Sequence, residues 1–333
     1  MRKLAGAANL RGVPSRRTVV ATAFAAPWAV WGLVRALGLD LGHPVVAAIS
    51  FTPYAAATAW LPVVAALLLR RRRVALVAVV AAGGLAAAIL PRALGDERIP
   101  EGANGPTLRV MSANLLFGNA DMAALVRLAR AQDVDVLSVQ ELTPQAVARL
   151  DAAGGRALFP SRVLVARSSA VGSGLLARLP LRDRSPEDAA VAAQPEAELR
   201  LPGAPPVRIK AVHPFPPITA RQEAAWRAAI DGLPRPGAEP DGPLRVLAGD
   251  FNATLDHRVL RDLLGDGYVD AADAVGAGLV PTWPRASTRP PITIDHVLLD
   301  ERIGVRSFSV HDVPGSDHRA VIAELVLPRG RSR

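Results

Sequence analysis

Six polar clusters interrupt apolar runs in the C-terminal two-thirds of the chain. Asn114 closes LRVMSA, Gln140-Glu141 closes DVLSV, His213 follows VRIKAV, and Asp250-Phe251-Asn252 follows LRVLAG. Asp295-His296 sits within ITIDHVLLD, and Ser316-Asp317-His318 precedes RAVIAELV. Such residues supply carboxylates for a hard cation, amides for phosphate oxygens and imidazoles for proton transfer. Each alone is a weak signal, since a strand-end Asn is most often a turn residue and a lone His most often structural. Their order, Asn…Glu…His…Asp-x-Asn…Asp…Asp-His, is much harder to dismiss. The chain has no Cys, so a metal would have to sit on oxygen and imidazole ligands.

To act together these residues must be gathered by rigid elements, and loops at sheet ends are where chemistry usually sits. The β-rich runs predict strands at Leu108–Ala113, Asp135–Val139, Arg162–Ala166, Gly174–Ala177, Val207–Val212, Leu244–Ala248, Thr293–Leu299, Val305–Val310 and Ala320–Val326. Helices are expected at Asp121–Ala131, Pro144–Asp151, Thr219–Ile230 and Arg258–Leu264. In the strand near 293, His296 should face away from Asp295 and read as structural. His257 and His311 have no supporting partner in sequence and read as surface. Ser316 reads equally as a support for the Asp317–His318 loop and as a turn residue, Trp283 as packing ahead of substrate contact, and Arg178 and Arg221 as solvated surface ahead of contact with an anionic substrate.

The N-terminal part has a different composition. Residues 1–99 carry 12 Lys or Arg against 3 Asp or Glu, whereas 100–333 carry 27 of each sign. All of the net +9 thus lies outside the region with the polar clusters, which lacks the net basic excess of a domain that grips long nucleic acid. Three stretches, Thr18–Val34, Pro44–Leu69 and Val74–Leu90, contain no acidic residue and no internal Lys or Arg. Their lengths suit a hydrocarbon core that needs about 17–25 helical residues. A cleaved signal peptide accounts for the first stretch only, and buried soluble helices account poorly for three in so short a span. Basic residues before the first stretch and the Arg70–Arg73 run place those segments in the cytoplasm by the positive-inside tendency. The expected plan is a basic cytoplasmic N-terminus at 1–17, about three transmembrane helices within 18–90, a Pro/Gly-rich linker at 91–106, a catalytic domain at 107–328 and a basic tail at 329–333. The chain would then be a multi-pass cell-membrane protein with an extracytoplasmic catalytic domain.

The stretches RVMSANLLFG, VLSVQEL, GSGLLARLPL, VHPFPP, VLAGDFNAT, ITIDHVLLD and GSDHRAVIAEL resemble the endonuclease/exonuclease/phosphatase superfamily, the DNase I-like fold, over about residues 107–328. GDFNAT followed by SDHRAV is the most specific pair. The resemblance implies an α+β fold, a four-layer α/β/β/α sandwich, here preceded by an α-helical transmembrane segment. It also implies phosphoester hydrolysis, which must neutralise the phosphate, aim a water and stabilise the leaving oxygen. By position, Glu141 would be the principal Mg²⁺ ligand (Mn²⁺ being a substitute), with Asn114 and Asp317 on the metal or its waters. Asp250 would orient or deprotonate the water, and Asn252 would hold a phosphate oxygen. His318, paired with Asp295, would contact the phosphate, and His213 would bind the phosphate or assist the leaving group.

Fold does not decide substrate. The compact, net-neutral domain tied to a bilayer favours a phosphorylated lipid or isoprenoid pyrophosphate at the outer face, and the architecture is similar to a membrane-anchored bacterial branch of the family. Two alternatives remain open at this point: a surface-tethered nuclease acting on nucleic acid, and a non-catalytic membrane scaffold.

Overall fold

The computed structural model describes residues 14–185, 193–237, 242–286 and 288–330. The basic segments expected at 1–17 and 329–333, and the Pro-rich loop at 234–243, lie partly outside those residues.

Strand β1 (Thr107–Asn114) explains why two sheets pack here. Leu108 and Val110 face one apolar cluster, while Met111 and Ala113, one residue out of phase, face another. A strand buried on both faces needs a layer on each side. β2 (Val136–Gln140), β4 (Ser173–Ala177) and β10 (Asp295–Asp300) are likewise buried throughout, and β3 (Ser161–Val165), β5 (Leu181–Asp183), β6 (Glu196–Leu199), β7 (Val207–Val212), β8 (Leu244–Asp250), β9 (Tyr268–Asp270), β11 (Gly304–Asp312) and β12 (Arg319–Val326) complete two sheets. One sheet runs β11-β12-β1-β2-β4-β3 and the other β5-β6-β7-β8-β10-β9. Their inner faces meet through Val110, Leu175, Ile209, Val246, Val297 and Val321. The strands β5, β6 and β9 were not expected from the sequence; each is only three or four residues long.

Helices cover the outer faces. In the N-terminal part α1 is Arg16–Leu37, α2 Val45–Ala48, α3 Thr52–Thr58, α4 Trp60–Leu68 and α5 Arg72–Ile89. In the C-terminal part α6 is Met122–Ala131, α7 Pro144–Ala152, α8 Gly155–Leu158, α9 Ala220–Asp231, α10 Arg258–Gly265 and α11 Ala271–Ala274. Leu125 of α6 and Leu150 of α7 pack on the first sheet, and Trp226 of α9 and Leu260 of α10 on the second. The fold is therefore a DNase I-like α/β/β/α sandwich. Asp121 and Thr143 cap α6 and α7 with their side-chain oxygens, which fixes where those helices begin.

The apolar N-terminal part forms a separate bundle in which α1, α4 and α5 pack together. Its burial pattern is inverted. Ala21, Ala25, Ala66, Ala75 and Ala78 lie inside, while Val20, Leu33, Leu68 and Val80 are exposed. Small residues let the helices approach closely, and large apolar ones face outward. Among the described residues, two helices, Arg16–Leu37 and Arg72–Ala93, are long and apolar enough to cross a membrane. The stretch expected as one span at Pro44–Leu69 forms a pair, Val45–Thr58 and Trp60–Leu68, bent by 48°, which has the length and composition of a third, broken span or of a re-entrant loop. Pro53 and Pro62 sit in the first turns of α3 and α4, where a missing N–H breaks no helical bond.

Residues 91–106, expected as a linker, are tied to the sandwich. Arg92 is buried, Arg98 bridges to Val305 through paired backbone bonds, and the Gly105 N–H donates to Leu327 O. Gly249 marks another close approach. A Cβ there would lie 1.8 Å from Val212 O on the neighbouring strand, beside Asp250. Gly249→Ala should therefore cost about 3 kcal/mol by overpacking, read as a clear fall in Tm; an unchanged Tm would show that β7 and β8 can separate freely.

Candidate active site

Strand directions bring the polar clusters together. β1 and β2 run parallel, as do β7 and β8, so Asn114, Glu141, His213 and Asp250 emerge at carboxyl ends of their strands. β10 is antiparallel to β8, with Asp295 opposite Asp250, and β12 is antiparallel to β1. The starts of β10 and β12 therefore reach the same end of the sandwich. His213, Glu141, Asp250, Asn252, Asp317 and His318 all line one pocket.

Asp250 is the hub. Its Oδ2 accepts from Asn114 Nδ2 at 3.1 Å and its Oδ1 from the Asn252 N–H at 2.8 Å. His213 Nε2 and His318 Nε2 each stand 3.7 Å from Asp250 Oδ2. Burial raises the Asp250 carboxyl above its ordinary range, and Asp295 adds to this against the two imidazoles. His318 Nδ1 donates to Asp295 Oδ2 at 2.9 Å. Burial alone would lower the His318 imidazole, but the Asp295 and Asp250 charges outweigh it and push its pKa up to about 10. Asp295 is held in turn by the Thr282 hydroxyl, which accepts from the Asp295 backbone N–H at 3.1 Å.

Glu141 is placed by backbone in left-handed conformation, with φ 58° at Glu141 and φ 46° and 52° at Leu116 and Phe117. The Phe117 N–H donates to Glu141 Oε2 at 2.6 Å, and Asn114 Nδ2 donates to Oε1 at 3.1 Å. Such conformations cost about 1–3 kcal/mol each for residues with a Cβ, and they cluster at functional sites. Asn252 is a further case at φ 47°, and its Nδ2 donates to Pro214 O at 3.0 Å, leaving the second amide hydrogen for another acceptor. Asn114 Oδ1 accepts from the Leu116 N–H at 3.0 Å. Its amide nitrogen therefore faces both carboxylates, and it touches Glu141 and Asp250 directly.

Two groupings could hold a cation. Asp250, Asp295 and His318 present ligand-type atoms within 4.8 Å of one another. There, however, His318 Nδ1 is engaged with Asp295. Glu141 and Asp317 are the other carboxylates in the pocket. Asp317 Oδ2 accepts from Trp283 Nε1 at 2.9 Å, while its buried Oδ1 has no hydrogen-bond partner. Glu141 and this buried, unsatisfied carboxylate oxygen line one pocket and are of the type that an oxygen-preferring divalent ion takes.

Several sequence readings change. Trp283 does more than pack: its N–H holds Asp317, and its ring centroid lies 6.1 Å from that of His318. Trp283→Phe keeps an aromatic side chain there but removes that donor, so kcat should fall about tenfold, more than a small fall in Tm from the smaller ring would explain. A kcat equal to the parent's would return Trp283 to packing. His257, expected at the surface, is buried. Its Nδ1 accepts from the Thr254 N–H at 2.9 Å, so Nε2 carries the proton and donates to Val46 O at 2.9 Å. Burial lowers its pKa and keeps this neutral form. His311 is half-buried rather than at the surface, with its Nε2 2.8 Å from Ser309 Oγ. Ser316 donates to Asn114 O at 2.8 Å and accepts from the His318 N–H, fastening the His318 loop to the end of β1. His296 sits between Asp270 Oδ2 and Ala253 O, away from the pocket, as alternation requires. Arg178 pairs with Asp133 at the opposite end of the sheet, and Arg221 is exposed.

The comparisons agree with this architecture. The model of the Endonuclease/Exonuclease/phosphatase family matches residues 111–318. No curated protein matches the chain significantly. Among solved structures, a humanized D. rerio TDP2 carrying 14 mutations aligns at TM-score 0.53 and 16% identity, over 66% of this chain and 98% of that one. An endonuclease/exonuclease/phosphatase from Beutenbergia cavernae aligns at TM-score 0.52 and 18% identity, over 67% and 72%. One from Bacteroides vulgatus aligns at TM-score 0.50 and 15% identity, over 67% and 99%. At such identities the likeness establishes the fold. The family match runs from inside β1 to the histidine before β12, well over half of the chain, and on that ground the protein belongs to the endonuclease/exonuclease/phosphatase family.

Proposed function

We propose that the protein is a membrane-anchored, Mg²⁺-dependent phosphoester hydrolase acting on a phosphorylated lipid, such as an isoprenoid pyrophosphate, at the outer face of the membrane. The observation that carries this reading is the make-up of the pocket: Val46, Ala47 and Phe51 of the apolar helical bundle line the same cavity as Asp250 and His318. A substrate that reaches the catalytic groups therefore lies against the bundle.

In this reading Asp250 accepts a proton from, or orients, the attacking water. Its burial makes it a stronger base than a solvated carboxylate, while Asn114 and the Asn252 N–H hold it in place. His318, kept protonated by Asp295, donates to a phosphate oxygen and offsets charge there. The free Asn252 amide hydrogen binds a second oxygen, and His213 assists the leaving group. Glu141 and Asp317, which line the same pocket, would hold Mg²⁺, which would supply neutralisation of the phosphate charge. The Asp250–Asp295–His318 grouping is read as the proton-handling part of the site.

Helix ends support the orientation. Arg71 donates to Ser15 Oγ at 2.6 Å, so the Arg70–Arg73 run and the start of α1 share one end of the bundle. At the opposite end Gly42 N–H donates to Glu223, and Arg92 pairs with Asp256 of the sandwich. With the arginines in the cytoplasm, the catalytic domain lies outside.

The test is hydrolysis of farnesyl diphosphate by the detergent-solubilised full chain, read both as phosphate (anhydride cleaved) and as pyrophosphate (ester cleaved), with plasmid DNA in parallel. Release of either with intact DNA is expected. DNA cleavage without release of either would instead establish a surface-tethered nuclease, and loss of both activities would favour a scaffold.

A further inference from the structure

The catalytic pocket extends well beyond the reacting groups. Its cavity is about 550 Å³, inside the range of about 300–1,000 Å³ usual for small-molecule sites. Besides the charged and polar residues already described, its lining includes Val46, Ala47 and Phe51 from the N-terminal helices and Phe117, Phe215 and Ile218 from the sandwich. Phe117 and Ile218 are 51% and 62% exposed, so the pocket presents apolar surface at its mouth.

Phe51 also lines a second cavity, of about 350 Å³, between α1 and α3, where Trp28, Trp31 and Tyr54 form the wall. Both cavities are lined by Phe51, so they adjoin at that residue. At the second cavity the bundle's polar groups are satisfied internally: Trp28 Nε1 donates to Ala55 O and Trp31 Nε1 to Thr52 Oγ1, both at 3.1 Å. The aromatic rings thus offer apolar surface with no unmet donor. Phosphate-binding chemistry in one cavity and an aromatic-walled cavity adjoining it at Phe51 suit one amphiphilic molecule.

We propose that the hydrocarbon chain of the substrate leaves the catalytic pocket past Ala47 and Phe51 and lies in the groove between α1 and α3, so that residues of the broken helix select for chain length. This rests on the lipid-phosphoester reading above. Each buried methylene is worth about fourfold in binding, so ten further carbons give ample room for selection. Ala47 is exposed at the pocket edge, where a larger side chain displaces the substrate chain without entering a packed core.

The experiment compares kcat/KM for dimethylallyl diphosphate, with five carbons, and farnesyl diphosphate, with fifteen, using the full chain in detergent. The parent is expected to favour the longer chain by about a hundredfold. Ala47→Trp and Phe51→Ala should each reduce that ratio about tenfold, and the ratio corrects for any loss of folded enzyme. Leu76→Trp, on the lipid-facing side of α5, should keep the parent's ratio. A parent preference that survives in both Ala47→Trp and Phe51→Ala overturns the groove while leaving the lipid reading intact. A parent that treats both diphosphates alike, or cleaves neither, overturns the groove and the lipid reading together.

Discussion

His318→Ala should lower kcat about a thousandfold, within the range for loss of a group that transfers or holds a proton in the transition state. His318 stands between two carboxylates, its Nδ1 hydrogen-bonded to Asp295 at 2.9 Å and its Nε2 3.7 Å from Asp250. Its pKa near 10 keeps it cationic at neutral pH, and that charge is what a phosphate dianion needs. Asp295→Asn keeps the size of the side chain but removes the charge that sustains the imidazolium, so the alkaline limb of the pH–rate profile should move to lower pH. The folded pKa of His318 stands above its ordinary 6.5. The pair therefore stabilises the fold fully below that pH and loses its contribution as pH rises through about 10. A His318→Ala variant with kcat near the parent's would remove this residue from the chemistry.

The second large effect concerns stability. Asp256 has a fully buried side chain that pairs with Arg35 at 2.6 Å and Arg92 at 2.8 Å. Asp256→Ala leaves two guanidinium groups, 15% and 8% exposed, without their counter-charge. Breaking such a buried pair from one side costs about 3–5 kcal/mol, a fall in Tm of about 10 °C. Arg92→Met should cost less, because Arg35 still faces Asp256. The consequence reaches the site. Asn252 and Asp256 belong to one short loop, and His257 next to it donates to Val46 O, so the bundle and the catalytic loop are fastened together. Asp256→Ala should accordingly lower activity as well as Tm, both measured on the full chain. An unchanged Tm would mean that the bundle and the sandwich are not coupled through this pair.

Much of this was legible in the sequence for a simple reason. The residues that act end strands or start them, so each is announced by an apolar run: Asn114 by β1, Asp250 by β8, His318 by β12. The strands that were missed, β5, β6 and β9, are short, and β6 carries two Glu in four residues, so no run marks them. The residues misread were those whose partners are remote. His257 finds Val46 211 positions away, and Trp283 finds Asp317 across a loop. Asp40 was legible only as a charge in a loop, yet Arg227 Nη2 bonds to its backbone oxygen and the Arg258 N–H to its carboxylate at 3.0 Å. Hydropathy likewise marked Pro44–Leu69 as apolar but could not mark its bend, which follows from packing against α1, α5 and the sandwich. The left-handed residues Leu116, Phe117 and Glu141 carried one faint signal, the Phe117-Gly118 pair just after a strand.

The most direct test of the central claim is the Mg²⁺ dependence of farnesyl diphosphate hydrolysis by the full chain and by Glu141→Gln. The account predicts saturable activation of the parent, complete loss with a chelator, and at least a tenfold higher Mg²⁺ requirement in the variant. Hydrolysis that persists in the chelated parent, or an identical Mg²⁺ requirement in Glu141→Gln, would contradict it.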